Sequence, residues 1–267
     1  MSIAPLFFAL LMWFIGTAAV VWLDSRPQHT FATSFRLSGL VALAATGAVW
    51  FTAGEQDAHG AYVGFGAAIL IWGWHEMGFL MGFVAGSRRD PLPESVTGWP
   101  RFRMAAATVM HHEIALALTA LALFAITWGQ SNQSAPLTFL LLFLLRLSAK
   151  FNLFLGVPNL SDEVFPAHLA YLKSYFRKRR MNALYPFSLI GTGAIAAWAW
   201  IAAESAPFGG EAAVTATLLF GLAALGIIEH LFLVLPLRDA KLWTWASSEA
   251  ASSRTTATTA AKTAITD

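Results

Sequence analysis

Cysteine is absent from the 267 residues. That excludes a disulfide framework, a thiolate metal site and a cysteine nucleophile, and it leaves the redox compartment unreadable. Charge is scarce: Asp, Glu, Lys and Arg together make up 12% of the chain, about half of what a soluble domain carries. The formal net charge is only +2, so the balance gives no case for nucleic acid. No basic residue precedes the first apolar run, so the n-region of a cleavable signal is missing. That run continues to Leu23 and reads as a retained transmembrane helix.

What the chain has in quantity is apolar length. Apolar residues make up 57% of it, and the mean hydropathy is +0.59. A helix crosses the hydrocarbon core with about 20 apolar residues. Seven segments qualify: 3–23, 35–53, 61–85, 104–128, 136–157, 184–203 and 212–235. The expected fold class is therefore all-α, a polytopic membrane bundle of about seven transmembrane helices. One helical domain would cover 1–245, and an Ala-, Ser- and Thr-rich tail, 246–267, is expected to be disordered in the cytoplasm. The third segment runs on to Gly86 and is long enough to tilt. Gly78, Gly82 and Gly86 recur every four residues, which predicts a small-residue stripe on one face of that helix.

The distribution of Lys and Arg sets the orientation. Arg26 follows the first segment, with Arg36 just inside the second. Arg88, Arg89, Arg101 and Arg103 follow the third. Lys173, Arg177, Lys178, Arg179 and Arg180 follow the fifth, and Arg238, Lys241, Arg254 and Lys262 follow the seventh. The intervening loops have none, and carry Glu55, Asp57, Glu204 and Glu211 instead. The positive-inside rule then puts the N-terminus in the periplasm and the C-terminus in the cytoplasm. The run from Lys173 to Arg180 reads as a topology signal that also attracts anionic lipid.

Four segments carry ionisable side chains that lipid penalises: His75 and Glu76; His111, His112 and Glu113; Arg146 and Lys150; Glu229 and His230. Such residues face inward and pair or serve a function. At 1.5 Å per residue, His75, His112 and Glu229 lie roughly 16, 12 and 10 Å from the cytoplasmic ends of their segments. Helices of opposite direction thus place the same residue types in one layer, and Asn159, Asp162, Glu163 and His168 follow on the same side.

Three readings of this layer are open. His75, Glu76, His111, His112, Glu113, Glu229 and His230 could ligate one or two divalent ions such as Fe, Mn or Zn, although the Glu-x-x-His spacing of ferritin-like bundles is missing. His75, His111, His112 or His230 could be an axial ligand to a tetrapyrrole, haem iron or a chlorin magnesium. Or Glu76, Glu113 and Glu229 could simply neutralise Arg146 and Lys150, with histidines as hydrogen-bond partners.

Trp74-His75-Glu76, His111-His112-Glu113, the run Lys150 to Asn159 (KFNLFLGVPN), Glu229-His230, and the ending Leu235-Pro236 through Trp245 together resemble the photosynthetic complex assembly protein 2 family, PuhE. The resemblance covers roughly residues 1–245. It implies a bacterial inner-membrane factor, in the cytoplasmic or intracytoplasmic membrane, for assembly of the photosynthetic reaction centre and light-harvesting complexes. Partners would be their subunits, other assembly factors, bacteriochlorophyll and the lipid bilayer. It implies no catalytic mechanism. The alternative is a membrane metalloenzyme acting on a tetrapyrrole, isoprenoid or lipid through the same His/Glu layer, without the spaced histidines of membrane desaturases. A transporter would need a polar path to the periplasmic face, and the third, fourth and seventh segments are apolar on that half.

Overall fold

The computed structural model describes residues 2–160 and 166–235. The expected disordered tail, the basic residues beyond 235, the motif ending at Trp245, and Asp162 and Glu163 lie outside the described residues. Seven helices are long and apolar enough to cross a membrane. They are α1 (Ile3–Asp24), α2 (Phe31–Thr52), α3 (Ala58–Leu80), α4 (Gly98–Ile126), α5 (Ser134–Leu155), α6 (Leu184–Ser205) and α7 (Glu211–Phe232). Among the described residues there is no strand, only two isolated bridges. The protein is an all-α, multi-pass membrane bundle of the bacterial inner membrane.

α3 is the central post and packs against α1, α2, α4, α5 and α7. Small residues let its neighbours close in: a Cβ on Gly64 would come within 2.0 Å of Ser134 Oγ. Phe65, Leu116, Leu123, Phe139, Leu218 and Leu222 fill the interior around it. The outward faces of α1 and α2 are apolar and exposed, as lipid contact requires: Leu10, Phe14, Leu37, Leu40 and Leu43 all point away from the core. Exposed Trp22 and Trp99 lie toward the end carrying the Lys and Arg loops, here the basic end. Trp50, Trp128 and Trp200 lie toward the other, giving the two aromatic girdles of an interfacial pair. Arg26 stacks 5.0 Å over Trp22.

The third helix stops five residues before the expected boundary, at Leu80. Gly82 turns the chain with φ +80°, a conformation glycine adopts without a Cβ clash. The segment that follows lies against α4, where Ala85 O accepts from His112 N at 3.0 Å and Ala107 O accepts from Arg88 N at 3.1 Å. A Cβ on Gly86 would sit 2.1 Å from Ala107 O, so only glycine fits. The expected glycine stripe is therefore not one helix face: Gly78 meets Phe35 of α2, Gly82 meets His168, and Gly86 meets the α4 backbone. The fourth helix starts earlier than expected, at Gly98, because Pro100 in its first turn gives up an N–H with no partner in the helix.

At the basic end the 3-10 segment Ala167–Tyr175 folds over the bundle, burying Leu169, Leu172 and Tyr175 against Phe79 and Ala85. His168 Nε2 donates to Leu80 O at 2.6 Å and so caps α3.

Candidate functional site

Asn152 and Asn159, in the run after Lys150, have structural work. Asn152 is fully enclosed and donates to Ser188 Oγ of α6 at 2.9 Å. Asn182 donates to Asn152 Oδ1 at 3.0 Å, and its own Oδ1 accepts from the N–H groups of Leu184 and Tyr185, closing the first turn of α6. Asn159 Nδ2 donates to Phe232 O at 2.8 Å and ties the end of α7 to the α5–α6 connection. Gly156 ends α5 at φ +120°.

The ionisable layer is formed by α3, α4, α5 and α7. Arg146 donates to Glu76 Oε2 at 3.3 Å. Lys150 donates to Glu113 Oε1. Glu229 and Glu113 add their negative charge to the surroundings of Arg146. Helices from three parts of the chain thus pair cations with carboxylates inside the membrane, as a low-dielectric interior demands.

The four histidines meet four different environments. His230 is enclosed, and its Nδ1 lies 2.7 Å from Gly226 O. A carbonyl only accepts, so Nδ1 carries the proton, and in the neutral ring Nε2 accepts from Ser148 Oγ at 2.9 Å. His75 is buried, with Nε2 2.9 Å from Thr119 Oγ1 and its ring edge-on to Trp74 and Phe139. His111 is exposed on α4, on the same outward stripe as Ile114, Leu118 and Leu121. Adjacent residues project about 100° apart on a helix, so its neighbour His112 points inward.

His112 is fully enclosed, and neither of its ring nitrogens has a hydrogen-bond partner. Its Nε2 lies 3.8 Å from Glu76 Oε1, which is also buried and without a partner. Glu113 Oε2 is a fourth such atom. Phe79 closes one side, with ring centres 4.8 Å apart, and Lys150 lies 5.6 Å from the Phe79 ring. Leaving a buried polar atom unpaired costs about 1–3 kcal/mol. A separation of 3.8 Å is too long for a hydrogen bond and suits an intervening atom. Two metal–ligand bonds of about 2.1 Å each can span it with a bent angle, as can a water.

A second set lies at the opposite end. Glu55, Asp57 and His59 offer ligand atoms within 4.8 Å of one another and could coordinate a metal ion. Sequence reasoning passed over His59, although the i, i+4 spacing from Glu55 was its signal. The three have local roles: Asp57 Oδ1 accepts from Gly60 N at 3.1 Å and caps α3, and His59 Nδ1 lies 2.9 Å from Glu55 Oε2. Among the described residues this is the one group of three or more acidic or histidine side chains so closely gathered.

The fold and this layer define a seven-helix inner-membrane protein with an ionisable core at one depth. The chain belongs to a family described as "Protein of unknown function (DUF3623)", which matches residues 1–254. It is 38% identical over 246 residues to the "Uncharacterized 30.4 kDa protein in puhA 5'region" of Rhodobacter capsulatus, covering 88% of this chain and 86% of that protein. No solved structure matches.

Proposed function

We propose that this protein is an inner-membrane factor for assembly of the bacterial photosynthetic reaction centre and light-harvesting complexes, and that it acts by handling bacteriochlorophyll or its precursors. The sequence resemblance to the PuhE family supports this pathway, and so does a relative encoded in the 5' region of puhA in a photosynthetic bacterium. The observation that carries a functional core is His112: a buried imidazole with two unpartnered nitrogens, 3.8 Å from an unpartnered carboxylate oxygen.

Burial sorts the cofactor chemistries. His75, His112 and His230 are enclosed by packed side chains, and a macrocycle needs an open face on its axial ligand. His111 is the one of the four that presents such a face, so a tetrapyrrole would be held there, against the apolar stripe of α4. A divalent ion would be held instead between His112 Nε2 and Glu76 Oε1 and would act as a Lewis acid. The 3.8 Å separation favours that second reading: a membrane metalloenzyme acting on a tetrapyrrole, isoprenoid or lipid. Reaction-centre or light-harvesting subunits and other assembly factors are the protein partners of the first reading.

The test is metal analysis and an absorption spectrum on the purified protein, beside deletion of the gene in a phototroph. Bound chlorin or haem lost in His111→Leu supports pigment handling. Near-stoichiometric Fe, Mn or Zn lost in His112→Ala supports the metalloenzyme. Normal antenna and reaction-centre absorption in the deletion strain would sink the assembly role.

A further inference from the structure

We infer that Arg101, Arg177 and Arg179 form a binding site for a phosphate-bearing group at the basic end of the bundle. Arg101 stands in the first turns of α4 and is only 4% exposed. Its guanidinium donates to Phe154 O at 3.0 Å and to Tyr175 O, and its central carbon lies 3.9 Å from the centre of the Phe154 ring. Among the described residues, the charges that act on it are Arg177 and Arg179, both of its own sign. Among the described residues none of these three arginines has a carboxylate within ion-pair distance. The contrast is with the membrane layer, where Arg146 has Glu76 and Lys150 has Glu113.

The arrangement is held by the backbone. Arg177 N donates to Leu153 O at 3.1 Å, Val157 N donates to Arg177 O at 3.1 Å, and Arg179 N donates to Val157 O at 3.1 Å. The stem of Arg179 lies across Gly156, where a Cβ would come within 2.8 Å of its Cγ. The backbone thus holds two like charges near Arg101, which lies inside the protein. Like charges repel, and a buried cation without a counter-charge is costly. A phosphate removes both penalties, because its oxygens accept charge-assisted hydrogen bonds from several guanidinium N–H groups at once. Exposed Trp99 and Met181 lie on the same end of the bundle, the depth of lipid headgroups. The phosphate could come from an anionic lipid headgroup or from a soluble phosphate compound, and the chemistry of recognition is the same.

The experiment uses the full chain, purified and stripped of lipid in detergent. Retention of phosphatidylglycerol is measured by native mass spectrometry, with and without inorganic pyrophosphate as competitor. Arg177→Gln and Arg179→Gln are compared with Arg103→Gln, an exposed arginine of the same helix end. Size exclusion and circular dichroism establish that each variant is folded, so the result does not depend on the buried Arg101. The expected result is about a fivefold loss of lipid affinity for each of the two variants, the factor one basic residue near an anionic surface is worth, and little change for Arg103→Gln. Lipid retention unaffected by pyrophosphate supports a headgroup as the source. Displacement by pyrophosphate supports a soluble phosphate. Equal losses in all three variants, or no loss in the Arg177/Arg179 double variant, would overturn the site.

Discussion

The two ends of the bundle each gather acidic and histidine side chains, and they satisfy them in different ways. Near the Glu-bearing loops, Glu55, Asp57 and His59 are closest together. Yet Asp57 is occupied as the cap of α3 and His59 as the partner of Glu55. In the basic half, His112 and Glu76 are enclosed and 3.8 Å apart, against 2.9 Å for His59 and Glu55, and neither the His112 ring nor Glu76 Oε1 has a hydrogen bond. Proximity alone therefore does not mark a site. Exposed groups satisfy one another or water at little cost, whereas an enclosed pair with unpaired atoms asks for a third component.

The most severe way to break this comparison is at His112. His112→Ala and Glu76→Gln are expected to abolish phototrophic complementation of a deletion strain while the protein still reaches the membrane, because the apolar spans insert on their own hydrophobicity. Full complementation by His112→Ala would show the layer to be structural packing.

Gly86→Ala tests the support of the same centre. Its methyl group would overlap the Ala107 carbonyl, and overpacking of this kind costs about 3 kcal/mol. Immunoblots should show poor accumulation. Gly191→Ala, with nothing within 4 Å of its Cβ, should accumulate normally.

Arg146→Ala should be milder, at about 1–3 kcal/mol, the cost of leaving a buried acceptor without its donor. Thermal unfolding in detergent measures it, and a loss as large as that for Gly86→Ala would mean that the ion pairs dominate the layer.

The smallest effects belong to the opposite end. Asp57→Ala should cost about 1 kcal/mol as a lost helix cap, and His59→Ala about 0.3–0.5 kcal/mol as a lost surface pair. Both should complement fully. Loss of complementation together with loss of a bound metal in either variant would move the functional centre to that end.

Reading the sequence as seven spans worked because apolar length is a local property. Even α5, interrupted by Arg146 and Lys150, is a helix over Ser134–Leu155. The third boundary failed because Gly82 and Gly86 look like helix-packing residues in a linear pattern, and only the contact with the α4 backbone shows that they turn and insert. The pairing of Arg146 and Lys150 with carboxylates was legible as a charge balance, but not which cation meets which carboxylate.

By itself, the sequence determined the all-α membrane class, the number of spans and the depth at which the ionisable residues fall. These follow from hydropathy, segment length and rise per residue, none of which needs a neighbour. Tertiary structure alone decided that His112 faces the core and His111 faces outward. α4 carries leucine on both faces, Leu116 and Leu123 inside and Leu118 and Leu121 outside, so no amphipathic pattern could orient it. Which side is interior depended on where α3 and α5 came to lie.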